Sequence, residues 1–167
     1  YENYLYLIYP AIGIIITVLT VRFFIKRRIG HGIPSTLYAI SKKNSNVPFS
    51  ATYASIITSM ITVGFGGSVG LEGPTVGASS AIGSNYARLG RMNYKTTTLL
   101  LGCGAASAMS GIFHAPIAAI VFALEVIMLD LTAGSLIPLL LASVSATLTS
   151  TFMLGNEVLF DIELTEI

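Results

Sequence analysis

The chain has 167 residues, of which 53% are hydrophobic and 10% are charged, whereas a soluble globular domain carries roughly 25% charged residues. This shortage of charge, with a net charge of +1, excludes an ordinary water-soluble domain and also a disordered or nucleic-acid-binding chain, because the latter two depend on charge. The single cysteine excludes an internal disulfide framework and a cysteine-based zinc cluster, which leaves a membrane protein or a piece of one.

Long stretches without Asp, Glu, Lys or Arg alternate with short charged groups along the chain. The charge-free runs are Asn3–Val21, Asn44–Leu71, Thr96–Leu124 and Leu131–Asn156. Each has about the length of a helix that crosses the ~30 Å hydrocarbon core of a bilayer. The sequence starts with Tyr1 and Glu2, without an initiator methionine or the basic start of a signal peptide, so we expect a piece of a longer protein.

The two signs of charge occupy different parts of the sequence. All nine Lys and Arg residues lie between Arg22 and Lys95, whereas four acids lie near the C-terminal end: Glu157, Asp161, Glu163 and Glu166. Because cytoplasmic loops of membrane proteins carry an excess of Lys and Arg, the basic groups are predicted to face the cytoplasm and the acidic end to face outside. The first hydrophobic run, Tyr4–Phe24, then runs inward from the outer side.

Glycine and proline divide the middle of the chain into short helices. Only Tyr4–Phe24 and Gly134–Leu154 have the pattern of ordinary spans. Between them, proline follows glycine closely within residues 30–34, 70–74 and 111–116, the order expected at a helix start because proline is tolerated in the first turn. The predicted helices are residues 34–42, 49–65, 74–89, 95–109, 116–130 and 134–154.

Helices of this length are expected to begin or end inside the membrane, where their terminal backbone groups lack water as a partner. Irregular backbone at that depth persists only where it is buried in protein or lines an aqueous cavity. The free N–H groups of a helix N-terminus carry a partial positive charge, so two converging N-termini bind an anion without a lysine or arginine. The alternative for the glycines is tight helix packing, but packing does not need the recurrent prolines. The sequence therefore predicts an all-α integral membrane fold with broken and tilted helices, and anion transport.

Three motifs resemble signatures of the CLC family of chloride channels and chloride/proton antiporters. Residues 70–74 (Gly-Leu-Glu-Gly-Pro) resemble its G-x-E-G-P motif, residues 30–34 (Gly-His-Gly-Ile-Pro) its G-S-G-I-P motif, and residues 111–116 (Gly-Ile-Phe-His-Ala-Pro) its G-x-F-x-x-P motif. The resemblance covers essentially all of residues 1–167. It implies the first of the family's two inverted repeats, roughly its third to ninth helices, without the second repeat or a C-terminal regulatory domain.

The resemblance implies a role for each motif position. Glu72, the only charge between Lys43 and Arg88, is implied to be a gate whose ionised carboxylate occupies the outer anion site and swings away when protonated. An alternative, compatible role is to cap the helix that starts near Pro74. The implied anion-binding positions are Gly30, His31, Gly32, Gly70, Leu71, Glu72 and Gly73. The implied structural positions are Pro34, Pro74, Gly111, Phe113 and Pro116.

His31 stands where the family has serine. Its ring N–H either donates to the central anion or points into the inner vestibule, which leaves only the backbone amide on the pathway. The family's other central partner, a tyrosine of the second repeat, has no counterpart in this sequence. This chain is therefore expected to supply only about half of the groups that line the pathway.

The helix after Pro116 bears on proton coupling. An ungapped comparison with the family puts Val126 at the position of the antiporters' inward-facing glutamate and Glu125 one residue before it. Valine carries no proton, which favours a passive channel, although a slip of one residue would reverse the assignment. The alternative is a proton-coupled anion antiporter, and a third reading is a non-conducting membrane assembly module.

The resemblance also implies partners and a location. We expect a homodimer with one chloride pathway per subunit, helices from about Ala115 to Leu154 at the dimer interface, and a plasma membrane location. No cofactor, no metal and no enzymatic activity are expected. Residues 66–70 (Gly-Gly-Ser-Val-Gly) also fit the hydrolase motif G-x-S-x-G, but that motif needs a preceding strand where this sequence predicts a helix.

Overall fold

The computed structural model describes residues 5–25, 32–127 and 133–155. Its helices are α1 (Leu5–Thr20), α2 (Gly32–Lys42), α3 (Ala51–Gly64), α4 (Glu72–Leu89), α5 (Tyr94–Phe113), α6 (Pro116–Phe122) and α7 (Ala133–Leu154). A π-helical turn follows α1 at Val21–Ile25 and another follows α6 at Ala123–Ile127. These three ranges contain no β-strand, so the all-α prediction is confirmed.

Helices α4 and α5 form the centre of the molecule. A Cβ atom on Gly83 would collide with the carbonyl group of Leu100, and one on Gly104 would collide with the carbonyl group of Ser79. The two backbones therefore touch at both glycines, the close approach that small residues permit in membrane helices. Helices α2 and α3 pack on α4, while α6 and α7 pack on α5.

Two helices start earlier than predicted. Helix α2 begins at Gly32 and α4 at Glu72, each two residues before the proline that was expected to open it. The first N–H groups of any helix lack an intrahelical partner. A proline that is third in the helix therefore costs no hydrogen bond, and the helix extends back past Pro34 and Pro74.

Helix α5 corrects the prediction of a short helix over residues 95–109. It runs for 20 residues from Tyr94 to Phe113, straight through Gly111. Helix α5 and the segment Gly134–Leu154 are the two described helices long and apolar enough to cross a membrane. In the first hydrophobic run, α1 continues directly into the π-helical turn, so the described helical segment extends from Leu5 to Ile25. Helix α3, with 14 residues, is short as expected.

Candidate functional site

The N-termini of α2 and α4 lie against each other. Gly32, the first residue of α2, has a left-handed backbone with φ +39°, and a Cβ atom there would lie 2.6 Å from the carbonyl oxygen of Gly73. A Cβ atom on Gly77, one turn further along α4, would lie 3.1 Å from the Cα atom of Gly32. The first residue of α2 therefore touches the first turn of α4, and the predicted Gly32 and Gly73 positions come together. Gly30 and His31 lie outside the described residues.

Backbone amides are the polar groups that these two helix starts offer. Pro34 and Pro74 have no N–H, and the Thr75 amide donates to the Leu71 carbonyl oxygen at 3.0 Å. The amides of Gly32, Ile33, Leu71, Glu72 and Gly73 have no intrahelical acceptor, because they belong to first turns. The sequence has no Lys or Arg between Lys43 and Arg88. Among the described residues, the two helix dipoles therefore contribute positive potential at this site.

Glu72 is the first residue of α4 and its side chain is exposed. Its Oε2 atom lies 2.6 Å from the place that a Cβ atom on Gly70 would take, so the carboxylate folds back over Gly70. The N-cap residue is Leu71, and no side chain caps the helix by a hydrogen bond. The capping role weighed for Glu72 is therefore absent from this arrangement, although a carboxylate in the first turn is favoured by the helix dipole.

Thr75 is a site residue that the sequence did not reveal. Its hydroxyl donates to the Leu71 carbonyl oxygen at 2.7 Å, which secures the first turn of α4 below Glu72. Beside it lies an open cavity of about 510 Å³, whose other hydroxyl-bearing lining residues are Ser107, Ser145, Thr149 and Ser150. A Thr three residues after Glu72 becomes recognisable as a first-turn residue only once the helix is known to start at Glu72.

The third motif lies where α5 ends and α6 begins. His114 follows Phe113 in a left-handed conformation with φ 51°, and Pro116 starts α6. The Ser150 hydroxyl donates to the Gly111 carbonyl oxygen at 2.9 Å, so the His114 Nε2 atom, 3.1 Å from Ser150 Oγ, carries the hydrogen of that second bond. His114 thus ties the break to α7. No group of three metal-ligating side chains occurs in the part of the chain that the structure describes.

Glu125 and Val126 lie on different faces of the π-helical turn that follows α6. Val126 is partly buried and packs against the core cluster, whereas Glu125 is exposed. Glu125 continues the exposed stripe formed by Ile117 and Val121. The two neighbouring side chains therefore lie in different surroundings, Val126 against the core and Glu125 on the exposed side.

Residues 66–70, which match the hydrolase motif G-x-S-x-G, follow α3 rather than a strand. The strand that precedes a hydrolase nucleophile is therefore replaced by a helix at this place.

The family model for voltage-gated chloride channels matches residues 12–167. The chain belongs to this family. It is 30% identical over 135 residues to the voltage-gated ClC-type chloride channel ClcB of Yersinia pseudotuberculosis, which covers 78% of this chain and 32% of that protein. It is 29% identical over 119 residues to ClcB of Citrobacter koseri, covering 70% of this chain and 28% of the relative. It is 29% identical over 144 residues to the chloride channel protein CLC-f of Arabidopsis thaliana, and the match covers 79% of this chain and 18% of that relative.

The chain spans a third or less of the length of these relatives. No solved structure gave a significant match. Membership of this family, together with the two long apolar helices, makes the chain an integral membrane protein.

Proposed function

We propose that this chain forms one half of a chloride pathway, with the anion held by the free amides of α2 and α4. The observation that carries the proposal is the contact between Gly32 and the Gly73 carbonyl group. It brings the N-termini of α2 and α4 together, and converging N-termini are a recognised way to bind an anion inside a membrane. Gly30 and His31 precede Gly32 and are proposed to extend the anion site inward.

Glu72 is proposed to be the gate of this pathway. Its carboxylate projects from the first turn of α4, beside the amides that would hold the anion, and competes with chloride for them while it is ionised. Protonation removes the competing charge and frees the side chain to move. The exposure of Glu72 and the absence of a capping bond support a movable carboxylate.

The other half of the pathway is proposed to come from outside this chain. The relatives are about three times as long as the matched segment or longer, which is consistent with a second inverted repeat that contributes further amides and a tyrosine hydroxyl. We further propose a homodimer in the plasma membrane, with the basic groups cytoplasmic and the acidic C-terminal end outside. The partly buried Val126 favours passive conduction over proton coupling.

Chloride efflux from liposomes that contain the complete reading frame tests the gate. Glu72→Gln is expected to make efflux constitutive and to abolish its dependence on pH, because the neutral amide no longer competes with the anion. The comparison variant is Glu125→Gln, the same change on the π-helical turn after α6, which is expected to keep the wild-type pH dependence if the pathway is passive. A Glu72→Gln protein with unchanged pH dependence would remove Glu72 from this role.

Proton movement separates the channel from the antiporter. An imposed chloride gradient is expected to drive no proton uptake into the same liposomes if the pathway is passive. Stoichiometric proton uptake would establish the antiporter instead. Wild-type liposomes without any chloride efflux would support the third reading, a non-conducting assembly module.

A further inference from the structure

Three segments meet in a hydrogen-bonded junction at the end of α4 opposite Glu72. The hydroxyl of Ser45, in the loop after α2, lies 2.6 Å from the hydroxyl of Thr98 on α5. The Ser84 hydroxyl on α4 donates to the Ser45 carbonyl oxygen at 2.6 Å and accepts from the Val47 amide at 3.0 Å. Ser45 and Ser84 are fully buried. The loop, the end of α4 and the start of α5 are therefore fixed relative to one another.

This junction brings five cations to one end of the molecule. Lys43 lies two residues before Ser45, Arg88 lies one turn after Ser84, and Lys95 lies one turn before Thr98. All members of this basic cluster are exposed: Lys42, Lys43, Arg88, Arg91 and Lys95.

The basic cluster has no acidic partner in the described ranges. The acids of those ranges are Glu72 and Glu125. Glu72 opens α4 and Arg88 closes it, a separation of roughly 24 Å at 1.5 Å per residue. Glu125 lies on the π-helical turn after α6. The Lys43 Nζ atom is 5.5 Å from the centroid of the Tyr38 ring. The cluster therefore presents positive charge that neither of the two described carboxylates compensates.

The guanidinium group of Arg88 is held by Asn85 in an orientation that suits bidentate binding of a phosphate. Its Nη2 atom donates to Asn85 Oδ1 at 2.6 Å, and the Asn85 amide donates to the Ala81 carbonyl oxygen at 2.6 Å. Asn85 itself is buried. One edge of the guanidinium is thus fixed by a buried side chain, and the remaining N–H groups are free to bind the oxygens of a phosphate.

Exposed tyrosines surround the cations. Tyr38, Tyr86 and Tyr94 are 57%, 65% and 50% exposed. Tyr38 lies one helical turn before Lys42 and Tyr94 is next to Lys95, whereas Tyr86 lies two residues before Arg88. Tyrosine is enriched at the membrane–water interface, where its ring lies at the depth of the lipid headgroups. This rim favours a lipid headgroup over a soluble anion as the ligand of the cluster.

We propose that the basic cluster binds the headgroups of anionic phospholipids in the leaflet at this end of the molecule. The phosphate of a headgroup meets the fixed guanidinium of Arg88, while Lys43, Arg91 and Lys95 add attraction to a negatively charged membrane surface. This interaction is independent of chloride transport, because the cluster lies at the far end of α4 from the proposed anion site.

Electron spin resonance with spin-labelled lipids tests the proposal. The complete reading frame is placed in phosphatidylcholine bilayers with trace spin-labelled phosphatidylglycerol or, separately, phosphatidylcholine of the same chain. In the wild type, the motionally restricted fraction of the spin label is expected to be about three times as large for phosphatidylglycerol as for phosphatidylcholine. This ratio is expected to fall at high salt. The triple variant Arg88→Gln, Arg91→Gln, Lys95→Gln is expected to show nearly equal association of the two lipids.

The matched control is Arg22→Gln, an exposed cation on the π-helical turn after α1, which contacts α1 and α3 rather than the junction. It is expected to keep the wild-type preference. Since every substituted side chain is exposed, circular dichroism should show the same helix content in all variants. Equal association of both lipids with the wild type, an unchanged preference in the triple variant, or an equal loss in Arg22→Gln would each overturn the proposal.

Discussion

At the scale of single residues, the carboxylate of Glu72 and the missing side chain of Gly70 occupy the same space. A methyl group on Gly70 would lie 2.6 Å from Glu72 Oε2, which is the flexible end of a side chain, so the fold is expected to tolerate Gly70→Ala while the carboxylate moves. The pH dependence of chloride efflux should then shift measurably. Gly64→Ala, whose new methyl group meets nothing within 4 Å and which lies outside the proposed anion site, should leave it unchanged. Identical profiles for Gly70→Ala and the wild type would show that the carboxylate does not gate from this position.

Gly32 is predicted to be the least replaceable glycine of the site. In Gly32→Ala, the alanine would have to adopt a left-handed φ of +39°, and its Cβ atom would lie 2.6 Å from the Gly73 carbonyl oxygen. Both strains involve backbone atoms, so no flexible side chain can move to relieve them. We expect a loss of about 1–3 kcal/mol in the free energy of unfolding, measured by thermal unfolding in detergent. Gly64→Ala, which has open space around it, serves as the control. Equal melting temperatures for the two variants would contradict the close approach of α2 and α4.

The sequence identified some of these residues and not others. Glu72 stood out because it is isolated in a long uncharged stretch, and Gly32 because it lies in a Gly/Pro break. Thr75 did not stand out, and Gly77 was recognisable only as a glycine four residues after Gly73, a spacing typical of tight helix packing. The role of Gly77 is a contact with a residue 45 positions earlier in the chain, and Thr75 matters through its place in a first turn. Neither contact is encoded in local sequence periodicity.

At the scale of helices, α4 and α5 depend on two glycines for their contact. Gly104→Ala would push a methyl group into the Ser79 carbonyl group, and backbone cannot yield as a side chain does. We expect a loss of about 1–3 kcal/mol in the free energy of unfolding and a lower melting temperature. Gly134→Ala, with nothing within 4 Å, should melt as the wild type does. A Gly104→Ala protein as stable as that control would mean that α4 and α5 are further apart.

The join of α5, α6 and α7 depends on Ser150. Its hydroxyl bonds to Gly111 and to His114, so Ser150→Ala removes both bonds and is expected to cost about 1–3 kcal/mol of stability. The control Ser145→Ala removes a hydroxyl that bonds only to the Ala142 carbonyl oxygen of its own helix, and its melting temperature should change less. A larger effect of Ser145→Ala would contradict the assigned bonds.

Helix positions were more predictable than helix ends. Charge-free runs and Gly/Pro breaks located α2 to α7, because these patterns follow from the period and backbone limits of a helix. The end of α5 was missed, since nothing local stops a helix at residue 109. Its actual end is set by the left-handed His114 and by the bonds that Ser150 of α7 makes with Gly111 and His114, which are tertiary. The start of α4 was missed because proline was taken as the first helical residue rather than the third.

At the scale of the whole molecule, the basic cluster and the proposed anion site lie at opposite ends of α4. Five exposed cations surround the junction of Ser45, Ser84 and Thr98, whereas the amides of Gly32 and Gly73 lie at the other end of α4. The family and the helical fold were both predictable from the sequence. The inverted-repeat partner, the homodimer and the orientation in the membrane stay predictions, because they depend on contacts beyond this chain.

Bromide, an anomalous scatterer that replaces chloride, tests the proposed anion site most directly. We predict that crystals of the Glu72→Gln protein, grown from the complete reading frame in bromide, give an anomalous peak within hydrogen-bonding distance of the first-turn amides of α2 and α4. The peak should be weaker in the wild type, where the carboxylate competes. Well-ordered crystals in which bromide binds elsewhere, and no peak lies beside Gly32 and Gly73, would contradict the proposal that these helix starts hold the anion.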